Sequence, residues 1–293
     1  MIDFPLIAGS FLVAIVVGLT GMGGGALMTP MMMLFFHVSP LAAVSSDLVA
    51  SAVMKPVGGA VHLRRGTVNL RLVGWLCVGS VPAAFCGVFV ARAFAVGDGV
   101  KYALGVALLL AVAGLAAKTW LAGKGGTSSA HDIVVRPIPT VLVGTVGGLV
   151  VGISSVGSGS LIIVALLALY PALKANQLVG TDLVQAVPLV ASAALGHLLF
   201  GDFQLQLTIS LLIGSIPGVY LGARISSRAP GGLIRAVLGI VLLASALKLL
   251  DASNTLTLWA LAGAIVVTVV GWRLRVRAAA RASSESTDLA RVR

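Results

Sequence analysis

The sequence predicts an all-α polytopic membrane protein built from two inverted repeats. Each repeat is a re-entrant broken-helix hairpin plus three transmembrane helices, and one extra C-terminal transmembrane helix follows. Three observations carry that prediction. The chain is 58% hydrophobic and only 10% charged over 293 residues, whereas about a quarter of the residues of a soluble domain are charged. It states one pattern twice, at an offset of 134 or 135 residues. Its lysines and arginines gather on one side of the predicted spans.

The duplication begins with a glycine break in each half. Gly18-Leu19-Thr20-Gly21-Met22-Gly23-Gly24-Gly25 is answered by Gly152-Ile153-Ser154-Ser155-Val156-Gly157-Ser158-Gly159. Downstream, Asp47 answers Asp182, His62 answers His197, and Gly66 answers Gly201. Gly79-Ser80-Val81-Pro82 answers Gly214-Ser215-Ile216-Pro217, and Leu104-Gly105 answers Leu238-Gly239. A period this long is not a solenoid repeat. Glycine-interrupted apolar segments at matching positions of two halves are the sequence mark of a transporter's binding site.

The elements follow in order. Full-length spans are predicted over Leu41–Leu63, Val68–Phe94, Val100–Leu121, Gln177–Phe200, Gln204–Ser226, Leu233–Leu250 and Leu256–Trp272, since each nears or exceeds the roughly 20 apolar residues that cross a bilayer. Pro5–Leu19 continues after its break into Gly25–Phe36, and Pro137–Gly152 into Ser160–Tyr170. These second arms have 12 and 11 residues, or about 16–18 Å of helix. A bilayer core is about 30 Å thick, so each pair is read as a hairpin that returns to its own side. The predicted organisation is repeat 1 over 1–122, a polar linker over 123–136, repeat 2 over 137–250, the extra helix over 251–273, and a basic disordered tail over 274–293.

Orientation comes from the basic residues. With the C-terminus in the cytoplasm, 16 lysines and arginines lie inside and 3 outside (Arg92, Lys101 and Lys248), while Lys55 is within a span. That asymmetry obeys the positive-inside rule and places the N-terminus outside, with Asp3 the only charge in the first segment. An odd number of spans per repeat makes the second copy enter from the opposite face. The net charge of +11 is thereby explained by topology, and no nucleic-acid partner is expected. No cleavable signal peptide is expected either, because Met1-Ile2-Asp3-Phe4 lacks a basic n-region. Cys77 and Cys86 lie in one apolar segment and read as buried small hydrophobes.

The breaks carry the chemistry. Each glycine lowers helix stability by about 1 kcal/mol relative to alanine, so several together unwind a segment. Irregular backbone at membrane depth survives only when buried in protein or lining a wet cavity. The short helices beyond the breaks then present free N–H groups and a positive dipole end, an anion site without a dedicated cationic side chain. The expected substrate-binding residues are Thr20, Gly21, Gly23, Gly24, Gly25, Ser154, Ser155, Gly157, Ser158, Gly159 and Ser160. The plainer reading is that the glycines only let helices approach closely. A nucleotide site is a poor fit, because neither a strand nor a Rossmann unit surrounds Gly21–Gly25.

Asp47 and Asp182 follow Ser46 and Thr181. They read either as proton-coupling or gating residues, or as acids near a helix start that satisfy orphan N–H groups. Lys55, eight residues after Asp47, supplies positive potential to an anion path or snorkels to the interface. His62 and His197 lie at span ends and read as interface anchors. Four histidines without clustered partners make a poor metal case, and no metal or other cofactor is expected. Pro82 and Pro217 fall within spans and are expected to kink them.

These residues resemble the sulfite exporter TauE/SafE family, also called the 4-toluene sulfonate uptake permease family. The paired glycine breaks, Ser46-Asp47 with Thr181-Asp182, and the repeated Gly-Ser-[Val/Ile]-Pro carry the resemblance, over roughly residues 8–250. It implies a bacterial inner-membrane carrier of small organic or sulfur-containing anions such as sulfite, sulfoacetate or other sulfonates, with proton coupling. The glycine breaks and both Asp positions transfer. The intramembrane cysteine chemistry of thiosulfate importers does not, since the breaks hold no cysteine. The expected function is a secondary transporter working by alternating access around two facing half-helix N-termini. An anion channel of the same architecture is the alternative, and no enzyme activity is expected. Expected partners are a small anionic substrate and the lipid bilayer; a homodimer is allowed by the sequence without being required.

Overall fold

The computed structural model describes residues 3–20, 24–64, 66, 68–95, 97–121, 134–157, 159–173, 175–226, 231–268 and 273. Residues up to Leu250 form one compact unit and Asp251–Arg293 a second. In the first, the helices are α1 (Phe4–Thr20), α2 (Gly25–Phe35), α3 (Pro40–Arg64), α4 (Leu70–Phe94), α5 (Gly99–Leu121), α6 (Pro137–Ser154), α7 (Leu161–Leu169), α8 (Ala175–Phe200), α9 (Leu205–Ser226) and α10 (Gly231–Leu249). In the second, α11 spans Asn254–Thr268. The helices of the first unit start and stop within two residues of the predicted bounds. Much of the predicted linker, the end of the last span and the whole of the predicted basic tail over 274–293 lie outside the described residues.

The chain is an all-helical, multi-pass membrane protein. Leu70–Phe94, Gly99–Ala117, Pro137–Ser154, Gln177–Phe200 and Leu205–Gly222 are long and apolar enough to cross a membrane by length and composition. α3 has the length, at 25 residues, but carries Ser45, Ser46, Asp47, Ser51 and Lys55 into the interior. α7 has 9 residues and α2 has 11, short of the roughly 20 needed for a span.

Local chemistry sets several boundaries. Asn69 caps α4 by accepting the Leu72 N–H at 3.0 Å, and Asp3 does the same for α1 with the Leu6 N–H at 3.2 Å. Arg136 precedes α6, whose first residue, Pro137, has no N–H to leave unsatisfied. Pro82 and Pro217 stand inside α4 and α9, which continue through them as single helices.

Packing links the two halves. α1 runs along α9, and α6 runs along α4; α3 packs on α8, and α5 on α10. Renaming each helix of α1–α5 as its partner in α6–α10 maps this set of contacts onto itself. The two long seams are glycine seams. A Cβ on Gly79, Gly144, Gly148 or Gly152 would strike backbone across the α4/α6 interface, and one on Gly214, Gly218 or Gly222 would strike α1. Removing the Cβ lets the backbones approach, as small residues do between membrane helices. Large apolar side chains such as Leu12, Val78, Phe89, Leu142 and Ile216 face outward.

Candidate functional site

The two breaks meet in space. α2 starts at Gly25, where an added Cβ would run into the carbonyl and hydroxyl of Ser155. Ser155 ends α6 in the left-handed region (φ 59°), and its N–H bonds to the Val151 carbonyl at 2.7 Å. Gly157 follows at φ 128°, a conformation that favours a residue without Cβ.

This junction gathers around one acid. Ser155 Oγ donates to Asp47 Oδ2 at 2.7 Å. Thr29 Oγ1, from α2, donates to the same oxygen at 2.9 Å. Asp47 is 1% exposed. A single buried carboxylate thus accepts one hydroxyl from each half of the chain. Asp47 lies two turns inside α3 and is held by side-chain hydroxyls, so the helix-start reading does not describe it.

The hydroxyl before each acid does a separate job. Thr181 Oγ1 accepts the Asn69 N–H at 3.1 Å, and Ser46 Oγ accepts the Gln204 N–H at 3.4 Å. Asn69 and Gln204 are matching positions. Each hydroxyl therefore holds the start of a helix in the opposite half. Asp182 is buried beside Thr181 at 2% exposure, and Lys55, a residue 8% exposed, is within electrostatic range of both Asp182 and Asp47. Lys55 is held inside the protein, so snorkelling does not describe it.

The remaining predicted residues divide. Gly24 and Gly25 are buried at the start of α2. Gly21, Gly23 and Ser158 lie outside the described residues, and Thr20 ends α1. Ser154 Oγ turns back on its own helix, donating to the Val150 carbonyl at 2.7 Å and accepting the Val156 N–H at 3.2 Å. Gly159 and Ser160 precede α7 without a side-chain cap from Ser160. The expectation of free N–H groups needs correction at the second short helix, α7. The Leu161 N–H (3.0 Å) and the Ile162 N–H (3.4 Å) go to the Gly157 carbonyl, and those of Leu27 (3.1 Å) and Met28 (3.0 Å) to the Gly24 carbonyl. The turn at the second break folds its own carbonyl over the end of α7, whereas the two bonds to Gly24 are the opening bonds of α2 itself.

His197 is not an interface anchor. It is fully buried, with Nε2 2.7 Å from the Gly152 carbonyl and Nδ1 2.8 Å from Ser45 Oγ. A carbonyl can only accept, so neutral His197 carries its proton on Nε2 and accepts the Ser45 hydroxyl at Nδ1. The ring ties α8 to α3 and to the last turn of α6, three residues before Ser155. Cys86 is exposed and Cys77 half-buried, both as free thiols, which corrects the expectation that both are buried. Among the described residues, no group of three or more His, Cys, Asp or Glu could hold a metal.

Thr29 and His197 are the contributors that sequence reasoning missed. Thr29 is the only hydroxyl residue in α2, which was a usable signal. The partners of His197 lie 45 and 152 residues away in the chain, and no local pattern announces them.

The chain is 35% identical over 245 residues to the probable membrane transporter protein YjnA of Bacillus subtilis, covering 81% of this chain and 96% of the relative. It is 23% identical over 232 residues to the probable membrane transporter protein YdhB of the same organism, covering 78% and 92%. A shorter stretch of 82 residues, 28% of each chain, is 38% identical to the probable membrane transporter protein YunE. No solved structure matches the chain. The family model for the sulfite exporter TauE/SafE family matches residues 6–249, and with the full-length kinship to YjnA this establishes that the chain belongs to that family of membrane transporters.

Proposed function

We propose that the protein is a secondary transporter that carries a small sulfur-containing or organic anion, sulfite or an organosulfonate, together with a proton. The observation that carries this reading is the convergence of both hairpins on Asp47, through Thr29 and Ser155. Two carboxylates and one ammonium in the same interior give one net negative charge when all are ionised. An oxyanion entering that interior is repelled until a proton offsets it. A carboxylate held by the two moving parts of the protein is well placed to register that proton. Release of the proton favours separation from the anion, which is the linkage a symporter needs.

The same reading takes 1–122 and 137–250 as inverted repeats, with the hairpins entering from opposite faces of the bacterial inner membrane, the N-terminus outside and the C-terminus inside. It is supported by the exchange of packing partners between halves and by the placement of the basic residues. Alternating access then amounts to movement of the hairpins relative to the α3/α8 pair, with Asp47 facing one side at a time. A small-anion substrate and the bilayer are the partners this requires, and no cofactor enters the scheme.

The test is flux into proteoliposomes. Purified protein should accumulate sulfite or methanesulfonate when the outside is made acidic. Asp47→Asn should abolish that pH-driven accumulation. If none of sulfite, sulfonates and carboxylates moves under a pH gradient of either sign, the carrier reading fails. Passive flux at channel rates, indifferent to substrate on the far side, would replace it with the channel reading.

A further inference from the structure

Ser51 stands one turn after Asp47 and one turn before Lys55 on α3, so the three share a face. It is 1% exposed, and its hydroxyl has no hydrogen-bond partner among the described residues. That is unusual for a buried polar group. Although Ser215 in α9 is without a partner among the described residues, as Ser51 is, several other buried hydroxyls on helices turn back to the carbonyl four residues earlier. Thr140 does so at 2.7 Å, Ser154 at 2.7 Å, Thr208 at 3.2 Å and Ser210 at 3.0 Å. Ser51 leaves that bond unmade and turns instead toward the first break. Its Oγ is 3.9 Å from the point that a Cβ on Gly24 would occupy, and Gly24 immediately precedes α2.

The N-terminal end of an 11-residue helix and an unpartnered, buried donor therefore share one place. The helix end attracts negative charge, and the hydroxyl can donate to an oxygen. We infer that Ser51 is a substrate-contacting residue, donating to an oxygen of a bound oxyanion at the first glycine break, beside Gly24. The matching position in the second half is Ala186, and Val190 matches Lys55. The seat is thus single and lies on α3, although the scaffold around it is double. This inference rests on the anion-carrier reading above and deepens it by naming where the oxyanion is held.

The experiment uses the full chain in detergent and in proteoliposomes, with sulfite and methanesulfonate as probes. Ser51→Ala should weaken the apparent affinity for the probe by about tenfold or more, the loss expected of a hydrogen bond to a charged acceptor, with maximal flux close to wild type. Thermal melting without ligand should be unchanged or higher, because the variant removes a hydroxyl that has no partner. The melting shift that the probe produces should shrink in step with affinity. Ser51→Thr, which keeps the hydroxyl, should bind the probe more tightly than Ser51→Ala. Wild-type affinity in Ser51→Ala overturns the inference. A lowered melting point with unchanged affinity also overturns it, since that marks a purely structural hydroxyl. A wild-type protein that neither binds nor moves any of these anions sinks the carrier reading and this inference together.

Discussion

Asp47 and Asp182 occupy matching places in two halves whose helices pack in matching ways, yet their surroundings differ. Asp47 accepts hydroxyls from Thr29 and Ser155. At the corresponding positions of the other half stand Ile163 and Gly21, and neither can supply a hydroxyl. Lys55 is likewise answered by Val190, and Ser51 by Ala186. Where the two halves must interlock, the pattern is kept: Ser46 and Thr181 hold Gln204 and Asn69, and the glycine seams of α4 and α9 recur. Duplication here preserves the scaffold and lets the chemistry diverge. In the carrier proposed above, a single polar seat has no use for an equal in the other half, whereas the backbone must fit itself along both seams.

The largest expected effect comes from the contact that joins the two breaks. Gly25→Ala places a Cβ against the Ser155 carbonyl and hydroxyl, and backbone cannot move aside as a flexible side chain could. Overpacking of this kind costs about 1–3 kcal/mol and displaces the Ser155 hydroxyl from Asp47. Transport should fall below a tenth of wild type, with the protein still inserted in the membrane. Gly239→Ala makes the control, because the nearest atom to a Cβ there is the end of the Leu115 side chain at 3.6 Å. Equal activity in the two variants would mean that the junction of the breaks is not what transport depends on.

The next effect separates the paired histidines. His197→Ala leaves the Gly152 carbonyl and the Ser45 hydroxyl without their shared partner and opens a cavity. Losses of this type come to about 2–4 kcal/mol. His62, at the matching position, is only half-buried, and His62→Ala should cost under about 1 kcal/mol. Thermal melting in detergent measures both. If His62→Ala proves the more damaging, the tie between α8, α3 and α6 is not a main support of the second break.

Much of this was legible in the chain. The paired glycine breaks, the short second arms and the helix limits follow from local composition, because glycine content and apolar run length are properties of a segment alone. Asp47, Asp182 and Lys55 stood out because ionisable groups are rare in apolar spans. The spacing of Gly144, Gly148 and Gly152, and of Gly214, Gly218 and Gly222, was also readable as a packing stripe. Which partner each residue meets was not readable. Asp47 joins Ser155 across 108 residues, and His197 joins Ser45 across 152. The self-bonding of the turn at Gly157 depends on backbone angles that composition does not fix.

The smallest expected effect tests the asymmetry itself. Thr29→Val is close to isosteric and gives the first half an apolar residue where the second half has Ile163. It removes one of two hydroxyls from Asp47 and leaves Ser155 in place. A single bond to a charged acceptor is worth about 1.5–3 kcal/mol, but the buried carboxylate keeps its other donor, so the transport rate should fall only about three- to tenfold. Ser155→Ala should cost more, since Ser155 also positions the end of α6. The decisive comparison is a double-mutant cycle. In an Asp47→Asn background, residual downhill flux should be nearly indifferent to Thr29→Val, because the charge that the hydroxyl served is gone. If Thr29→Val lowers that residual flux as much as it lowers wild-type flux, Thr29 acts on α2 packing rather than through Asp47. The chemical difference between the two halves would then rest on Ser155, Ser51 and Lys55.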